Sequence, residues 1–318
     1  MKPKSWNHLT LLAALALFLP ALLNLNGCSS RNPAELPLAK AGVDPVVFDD
    51  AFGANVDYFA FENSHYKALT QESSGGYLDS PTLKVSIAPP TQGLPPDDPD
   101  YSGGWAGGSF WTHVARDLSS FNSRTFWAKA NEPLDLSECG LGIPLGLPST
   151  YQITVSGTPL DTAFKKIIIP IPNPARLTAE QGMFWYSHGE HSVQIWLDEV
   201  IFRNETGILN PRPSMLSETK EVLLDQEVTI SDTKTIYSVN GVDVEVGHAS
   251  AYFDYFSSDE SVVTVENGIA IAVGGGTATI TAMLLDTPVD GEVNVSVIAP
   301  PTEPAPTPTP DQALSLIH

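Results

Sequence analysis

The segment SFWTHVARDLSSFNSRTFWAKA, residues 109–130, decides the fold of this chain. It contains two short runs rich in aromatic and β-branched residues, separated by a polar turn, which is the pattern of two β-strands. Similar runs, bounded by Gly, Pro, Ser and Asp, recur at 82–88, 151–157, 164–172, 182–189 and 193–202. Short strands without a convincing helix predict one all-β domain over 46–204, a sandwich or jelly roll.

A second, smaller β-sandwich of Ig-like spacing is predicted over 220–298, where short runs are joined by the turn sequences VNG, ENG and GGG. We expect residues 205–219 to form a linker between the two domains, which Pro211 and Pro213 would stiffen. The prolines and threonines of 299–318 indicate an extended linker. We interpret the last residues of this segment as a truncated or artefactual end. The expected fold class is therefore all-β, with a jelly-roll β-sandwich followed by a smaller Ig-like β-sandwich.

The charge of the chain restricts its partners. Its 318 residues include 16 Lys plus Arg and 37 Asp plus Glu, so the formal net charge is −21. A surface this acidic repels nucleic acid and anionic lipid. We expect an exported monomer that binds neutral partners, binds no nucleic acid and meets the membrane only through an N-terminal lipid.

The N-terminus has the organisation of an export signal. Lys2 and Lys4 precede the apolar run LTLLAALALFLPALLNL, and LNGC follows at 25–28. This stretch resembles a bacterial lipobox, which implies that Cys28 is acylated and that 1–28 are a lipoprotein signal peptide. By analogy with such lipoproteins, Ser29 after the cysteine implies sorting to the outer membrane. We expect residues 29–45 to form a tether between the lipid and the first domain. The alternatives are a plain transmembrane anchor or a chance cysteine.

The smaller predicted domain carries the motif SSDESVVTVENGIAIAVGGGTATITAML at 257–284. It resembles the bacterial group 2 Ig-like domain, with a Ser-x-Asp turn, two paired hydrophobic strands and a closing Gly-Thr-x-x-Ile-Thr-Ala strand. The resemblance implies a spacer or adhesive module and no catalytic residues.

The larger predicted domain resembles carbohydrate-binding jelly rolls of the galactose-binding-like kind. The segments that carry the resemblance are VVFDDAFGANVDYFAFENSHYKAL (46–69), YSGGWAGGSFWTHVARDLSSFNSRTFWAKA (101–130) and VQIWLDEVIF (193–202). Their order and character imply a module that binds a polysaccharide or oligosaccharide. Similar arrangements precede the catalytic domain of laminarinase-like glycoside hydrolase lipoproteins.

Sugar binding requires flat aromatic faces for the apolar side of a pyranose and polar groups for its hydroxyls. Glycines beside aromatic residues let a ligand approach the backbone closely. On this basis the candidate sugar-binding residues are Tyr101, Trp105, Trp111, Arg116 and Trp185.

A structural calcium ion is a second expectation. Strand alternation in IWLDEVIF places Asp198 on the same face as Trp196, Val200 and Phe202, which is otherwise apolar. A carboxylate in a core is costly unless it is paired or bound to metal. The jelly-roll resemblance implies calcium at the matching Asp, with Asp50 as a second ligand and Asp49 and Glu62 as further oxygen sources. The alternative is that Asp198 lies at the sheet rim and accepts backbone N–H groups.

The sequence offers little for catalysis in the residues present. It has no Gly-x-Ser-x-Gly elbow, no His-Glu-x-x-His and no conspicuous pair of carboxylates. The expected function is non-catalytic glycan binding by a cell-surface lipoprotein, as the N-terminal part of a polysaccharide-degrading protein. The alternative is a structural or adhesin stalk that binds protein or matrix.

Overall fold

The computed structural model describes residues 41–65, 67–96, 98, 100–189, 192–266 and 269–298. The predicted signal peptide, the lipidation site Cys28, the tether up to residue 40, the turn residue Gly268 and the segment 299–318 lie outside the described residues. Within the described part of the chain, no helix combines the length and the apolar character that crossing a bilayer requires.

Strands dominate the chain from Val46 onward. The first twelve are β1 (Val46–Asp49), β2 (Ala51–Phe52), β3 (Val56–Ala60), β4 (Leu69–Glu72), β5 (Thr82–Ser86), β6 (Ala106–Arg116), β7 (Ser123–Ala130), β8 (Leu134–Leu141), β9 (Ile153–Leu160), β10 (Lys165–Pro170), β11 (Glu180–His188) and β12 (Gln194–Arg203). The others are β13 (Ile208–Ser214), β14 (Glu218–Leu223), β15 (Glu227–Val228), β16 (Lys234–Val239), β17 (Val242–His248), β18 (Asp254–Ser257), β19 (Val263–Glu266), β20 (Ile269–Ala272), β21 (Gly276–Leu284), β22 (Thr287–Pro288) and β23 (Val293–Ile298). Short 3-10 turns cover Tyr77–Asp79, Pro174–Arg176 and Ser250–Tyr252.

Two sheets form the larger sandwich. The front sheet has the order β13-β16-β17-β9-β8-β11-β6-β3. The back sheet has the order β10-β7-β12-β1-β2, with β5 also paired to β12 and β4 to β5. The core between them is built largely from aromatic side chains, including Phe48, Phe110, Phe126, Phe184 and Phe202. The antiparallel pairing and the two-layer core establish the predicted jelly-roll β-sandwich.

The smaller sandwich packs a sheet of order β14-β23-β21-β18, with β22 on β21, beside the sheet β15-β20-β19. β14 and β23 pair in parallel, and the other pairs are antiparallel. A separate cluster of apolar residues, among them Val263, Ala270, Ala272, Ala278 and Ile280, fills its core. The all-β class and the order of the two sandwiches are as predicted.

The junction between the sandwiches differs from the predicted one. The range 205–219 contains β13 and the start of β14 rather than a free linker. The β16–β17 hairpin, expected in the smaller domain, extends the front sheet because Gly247 and His248 pair with Thr154 and Ile153. Its inward side chains, such as Tyr237, belong to the larger core. The segment with Pro211 and Pro213 forms β13 because it pairs with β16 as the edge strand of the front sheet, a position where proline is tolerated.

The strict alternation predicted for β12 does not continue past Asp198, so the prediction that Asp198 shares a face with Val200 and Phe202 is wrong. Ile195 and Leu197 are core residues, so Trp196 and Asp198 lie on the outer face of the back sheet. The pairing of β12 with β7 shifts between Asp198 and Ile201, and Glu199 has φ 42°. This β-bulge returns the chain to the core, which is why Asp198 does not share a face with the inward residues that follow.

Candidate functional site

The outer face of the front sheet is reached by every second residue of its strands. On the central strand β6, Phe110 is fully buried in the core, so Ser109 and Trp111 lie outward. Ser109 pairs with Phe59 of β3 on one side and with Trp185 of β11 on the other. Phe59, Trp111 and Trp185 therefore lie on the same face of the front sheet.

Trp105 lies just before β6 and is half-buried beside Gly107. A Cβ atom added to Gly107 would lie 2.8 Å from Cζ3 of Trp105 and 3.1 Å from Cδ2 of Phe61. Phe61 donates its backbone N–H to the Gly107 carbonyl at 3.0 Å, and His65 donates to the Trp105 carbonyl at 3.2 Å. The absent side chain at Gly107 thus lets two aromatic rings lie close to the sheet.

The aromatic surface continues from Phe61 in both directions. Its ring centroid is 5.8 Å from that of Phe59 and 6.4 Å from that of Trp185. Trp185 is only 3% exposed and donates its indole N–H to the Ile153 carbonyl at 3.1 Å. We call Phe59, Phe61 and Trp105 the front platform; Trp185 supports it from within the fold.

A row of polar residues leads away from the front platform. Gly107 pairs with Ser187, Ser187 with Glu138, and Glu138 with Ser156. Glu138 and Ser156 are exposed and Ser187 is half-buried. Because neighbouring strands are about 4.8 Å apart, the row extends roughly 14 Å from Gly107. Aromatic rings followed by hydroxyl and carboxylate groups form an amphipathic strip across the strands.

Trp111 lies on the same face but at the other end of β6. It is four residues from Gly107, or roughly 13 Å along the strand. Its ring centroid is 4.3 Å from that of His113, whose Nε2 is 3.3 Å from a carboxylate oxygen of Asp57. Trp111 is half-buried and forms a separate aromatic patch rather than a part of the front platform.

Arg116 holds the N-terminal segment in place and does not line this surface. It is 4% exposed, and its guanidinium donates to the carbonyls of Asp44, Val46 and Ala54 and pairs with the Asp44 carboxylate at 3.0 Å. Burial lowers the pKa of Arg116, although Asp44 opposes the effect. The predicted role of Arg116 in sugar binding is not supported, because its donors are already occupied.

Tyr101 lies half-buried in the loop before β6. Its backbone N–H bonds to the Asp98 carbonyl at 3.0 Å. No ring contact joins it to another described aromatic residue. Of the five predicted sugar-binding residues, the structure therefore brings together Trp105 and Trp185 and leaves Tyr101, Trp111 and Arg116 apart from them.

The surroundings of Asp198 do not fit a calcium site. Asp198 is 1% exposed, and one carboxylate oxygen accepts the Tyr77 N–H at 2.7 Å and the Ser80 hydroxyl at 2.6 Å. The other accepts the Glu199 N–H at 2.8 Å. Asp50 is exposed in the turn between β1 and β2. Among the described residues, no three His, Cys, Asp or Glu are grouped to hold a metal. The oxygens of Asp198 are committed to protein donors instead of facing a cation.

Two residues of the front platform were not among the sequence candidates. Phe59 and Phe61 follow Asp57 at a spacing of two in DYFAF, which is the signal of a shared strand face. Glu138, in the row of polar residues, was also missed, because a single acidic residue in a strand is ordinary on a solvated face.

Comparisons with known proteins yield similarity of structure only. No protein-family model matches the chain, and no curated protein sequence matches it. A family 11 carbohydrate-binding module from Clostridium thermocellum, in complex with a β-1,3-1,4-mixed-linked tetrasaccharide, is 14% identical, with 52% of this chain and 97% of the module covered and a TM-score of 0.36.

Two other solved structures are similar at the same level. A family 29 carbohydrate-binding module from Piromyces equi is 9% identical over 49% of this chain and 87% of the module, with a TM-score of 0.31. A β-1,2-glucanase from Parabacteroides distasonis is 10% identical over 80% of this chain and 39% of the enzyme, with a TM-score of 0.31. At these values the function has to be argued from the front platform itself.

Proposed function

We propose that the front platform binds a glycan without cleaving it. The observation that carries the proposal is the glycine at position 107, which seats Trp105 and Phe61 against the sheet beside a polar row. Pyranose rings present an apolar C–H face and equatorial hydroxyls, and they match a surface of this kind. A glycan chain lying across the strands would contact the rings first and Ser187, Glu138 and Ser156 next.

The proposal is tested by affinity gel electrophoresis of the full chain through gels that contain laminarin, lichenan, cellulose ether or xylan. We expect at least one neutral polysaccharide to retard the protein. Trp105→Ala should weaken that retardation markedly while circular dichroism and Tm stay unchanged, because Trp105 is half-buried and lies outside the core. Val114→Ala, at a 59% exposed position of β6, the strand that follows Trp105, is the control.

If no glycan retards the wild-type chain, the adhesin or structural stalk becomes the better interpretation. One observation favours that second candidate: an ion pair joins the larger sandwich to the smaller one. Arg176, between β10 and β11 of the larger sandwich, pairs with Asp254 at the start of β18 in the smaller one, at 2.5 Å. Pull-down against extracellular matrix proteins would then separate a protein-binding stalk from an inert spacer.

The cellular setting is also a proposal. The lipobox supports acylation of Cys28 and display on the outer membrane, as part of a larger polysaccharide-degrading protein. The smaller sandwich would act as a group 2 Ig-like spacer. Mass spectrometry of the mature N-terminus tests the anchor: a diacylglyceryl-modified Cys28 supports it, and an unmodified chain that begins elsewhere contradicts it.

A further inference from the structure

A second aromatic surface lies on the opposite side of the larger sandwich, over the back sheet. The turn 76–80 lays the ring of Tyr77 on that of Trp127, with centroids 3.7 Å apart and planes inclined by 10°. Phe164 stands edge-on to Tyr77 at 6.2 Å and 73°. All three side chains are half-buried. We call Tyr77, Trp127 and Phe164 the back platform.

The turn that carries Tyr77 is strained and yet buries little. Leu78 and Asp79 have φ of 58° and 65°, the left-handed region that non-glycine residues avoid. Leu78 is 83% exposed, so an apolar side chain is displayed to solvent beside the rings. A turn that served only to cover Trp127 would need neither the strain nor the exposed leucine.

Buried groups hold this turn in its conformation. The Asp198 carboxylate accepts the Tyr77 N–H and the Ser80 hydroxyl, at 2.7 and 2.6 Å. A Cβ added to Gly76 would lie 2.4 Å from an Asp198 oxygen, so the carboxylate fits closely under the turn. The fold therefore fixes the orientation of Tyr77 before any ligand arrives, which is how a binding surface reduces the entropy cost of association.

Polar groups border the back platform. The ammonium of Lys129 donates to the Gly75 carbonyl at 3.3 Å and lies 4.5 Å from the centroid of Phe164. No ion pair to Lys129 is found among the described residues. Lys84 lies two strands away from Lys129, with Trp196 between them, and pairs with Glu72 at 3.1 Å. The border therefore offers one ammonium donor from which sugar hydroxyls can accept, and because its other lysine is already paired, the described residues here form no cluster of free cations that would select a sulfated or carboxylated glycan.

We propose that the back platform is a second glycan-binding site, in which a neutral pyranose stacks on Tyr77 with Leu78 against its apolar edge and Lys129 towards its hydroxyls. The inference goes beyond the front platform, because the two surfaces lie on opposite faces of the sandwich and share no residue. One molecule would then hold two glycan chains, or two stretches of one chain, and gain affinity by avidity.

The experiment uses the full chain in four forms: wild type, Trp105→Ala, Tyr77→Ala and the double variant. Each is run through gels containing laminarin, lichenan, cellulose ether or xylan, and Tm is recorded for each. We expect either single variant to weaken the apparent affinity for the retained polysaccharide by about tenfold or more, the size of effect usual for an aromatic hot spot. The double variant should show no retardation.

Two matched controls accompany these variants. Tyr77→Phe retains the ring and should bind like the wild type, whereas loss of binding there would place the interaction at the hydroxyl and contradict stacking. Thr70→Ala, at an exposed position of β4 on the same face, should change nothing.

The pattern of retardation among the variants tests each of the two sites separately. Complete loss of retardation in Trp105→Ala, with Tyr77→Ala unchanged, overturns the back platform and leaves the front platform standing. The reverse pattern assigns binding to the back platform and overturns the front one. A wild-type chain that none of the four polysaccharides retards overturns both.

Discussion

Replacing Asp198 by alanine should destabilise the larger sandwich and release the turn above it. The carboxylate is 1% exposed and receives N–H groups from Tyr77 and Glu199 and the hydroxyl of Ser80. Alanine removes the acceptor and leaves these three donors without a partner. The cost arises mainly from the unpaired donors rather than from the loss of packing, because the substituted side chain is small and polar.

The magnitude follows from the three hydrogen bonds. A bond to a charged group contributes about 1.5–3 kcal/mol. Tyr77 and Ser80 are half-buried, so water can replace the carboxylate at both once the turn opens. We therefore expect a loss of about 2–4 kcal/mol in the free energy of unfolding, less than the full sum of three bonds. For a unit of this size that corresponds to a fall in Tm of roughly 4–16 °C.

The assay is thermal unfolding with and without calcium or a chelator, for wild type, Asp198→Ala and Asp50→Asn. If Asp198 acts as a clamp, calcium and chelator leave the wild-type Tm unchanged, and Asp50→Asn behaves like the wild type. A calcium-dependent rise in Tm that both variants abolish would refute the clamp and restore the metal site expected from the sequence. Tryptophan fluorescence should also rise or shift in Asp198→Ala, since Tyr77 leaves Trp127.

Three further predictions concern other parts of the fold. Gly107→Ala should displace Trp105 and reduce glycan retardation, whereas Gly189→Ala, with no atom within 4 Å of the added Cβ, should not. Burial lowers the pKa of His248 to about 4, below its unfolded value of 6.5. The free energy of unfolding should therefore fall by up to about 3 kcal/mol as the pH drops from 6.5 to 4. Urea unfolding of His248→Gln should not show this loss. Arg124 is fully buried, and among the described residues its Nε and Nη1 have no hydrogen-bond partner. Arg124→Met should therefore change the free energy of unfolding by less than about 1 kcal/mol or raise it. A loss above about 3 kcal/mol in urea unfolding would contradict this.

The fold was accessible from the sequence because its signals are local. Alternating aromatic and β-branched runs between turn residues are sufficient to indicate strands, as in 109–118 and 124–130. The failures arose where a local irregularity changes the register. The left-handed Glu199 introduces a bulge into β12, and a two-residue period cannot show which residue of a strand will be doubled.

The candidate sites were predicted less completely, because residue type does not reveal which donors are already occupied. Arg116 has the chemistry of a sugar ligand, yet three backbone carbonyls and Asp44 take its N–H groups. Asp198 has the chemistry of a calcium ligand, yet the turn 76–80 supplies its partners from a segment more than a hundred residues away. Such long-range pairings are set by topology and leave no mark in the local sequence.

One local signal does recur at both proposed platforms. Trp105 ends the sequence SGGW at 102–105, and Tyr77 ends SGGY at 74–77. In each, one glycine takes a left-handed conformation, φ 81° at Gly104 and φ 86° at Gly75. The chain bends at each of these glycines, and a glycine nearby, Gly107 or Gly76, leaves room for close packing.

This shared arrangement has a physical reason. An aromatic residue inside a regular strand stands perpendicular to the sheet and presents an edge to solvent, whereas a pyranose needs a ring face. A ring on a glycine-rich approach segment can lie across the sheet instead of projecting from it. Trp105, which precedes β6, lies against Gly107 in this way, whereas Trp111, inside β6, packs against His113.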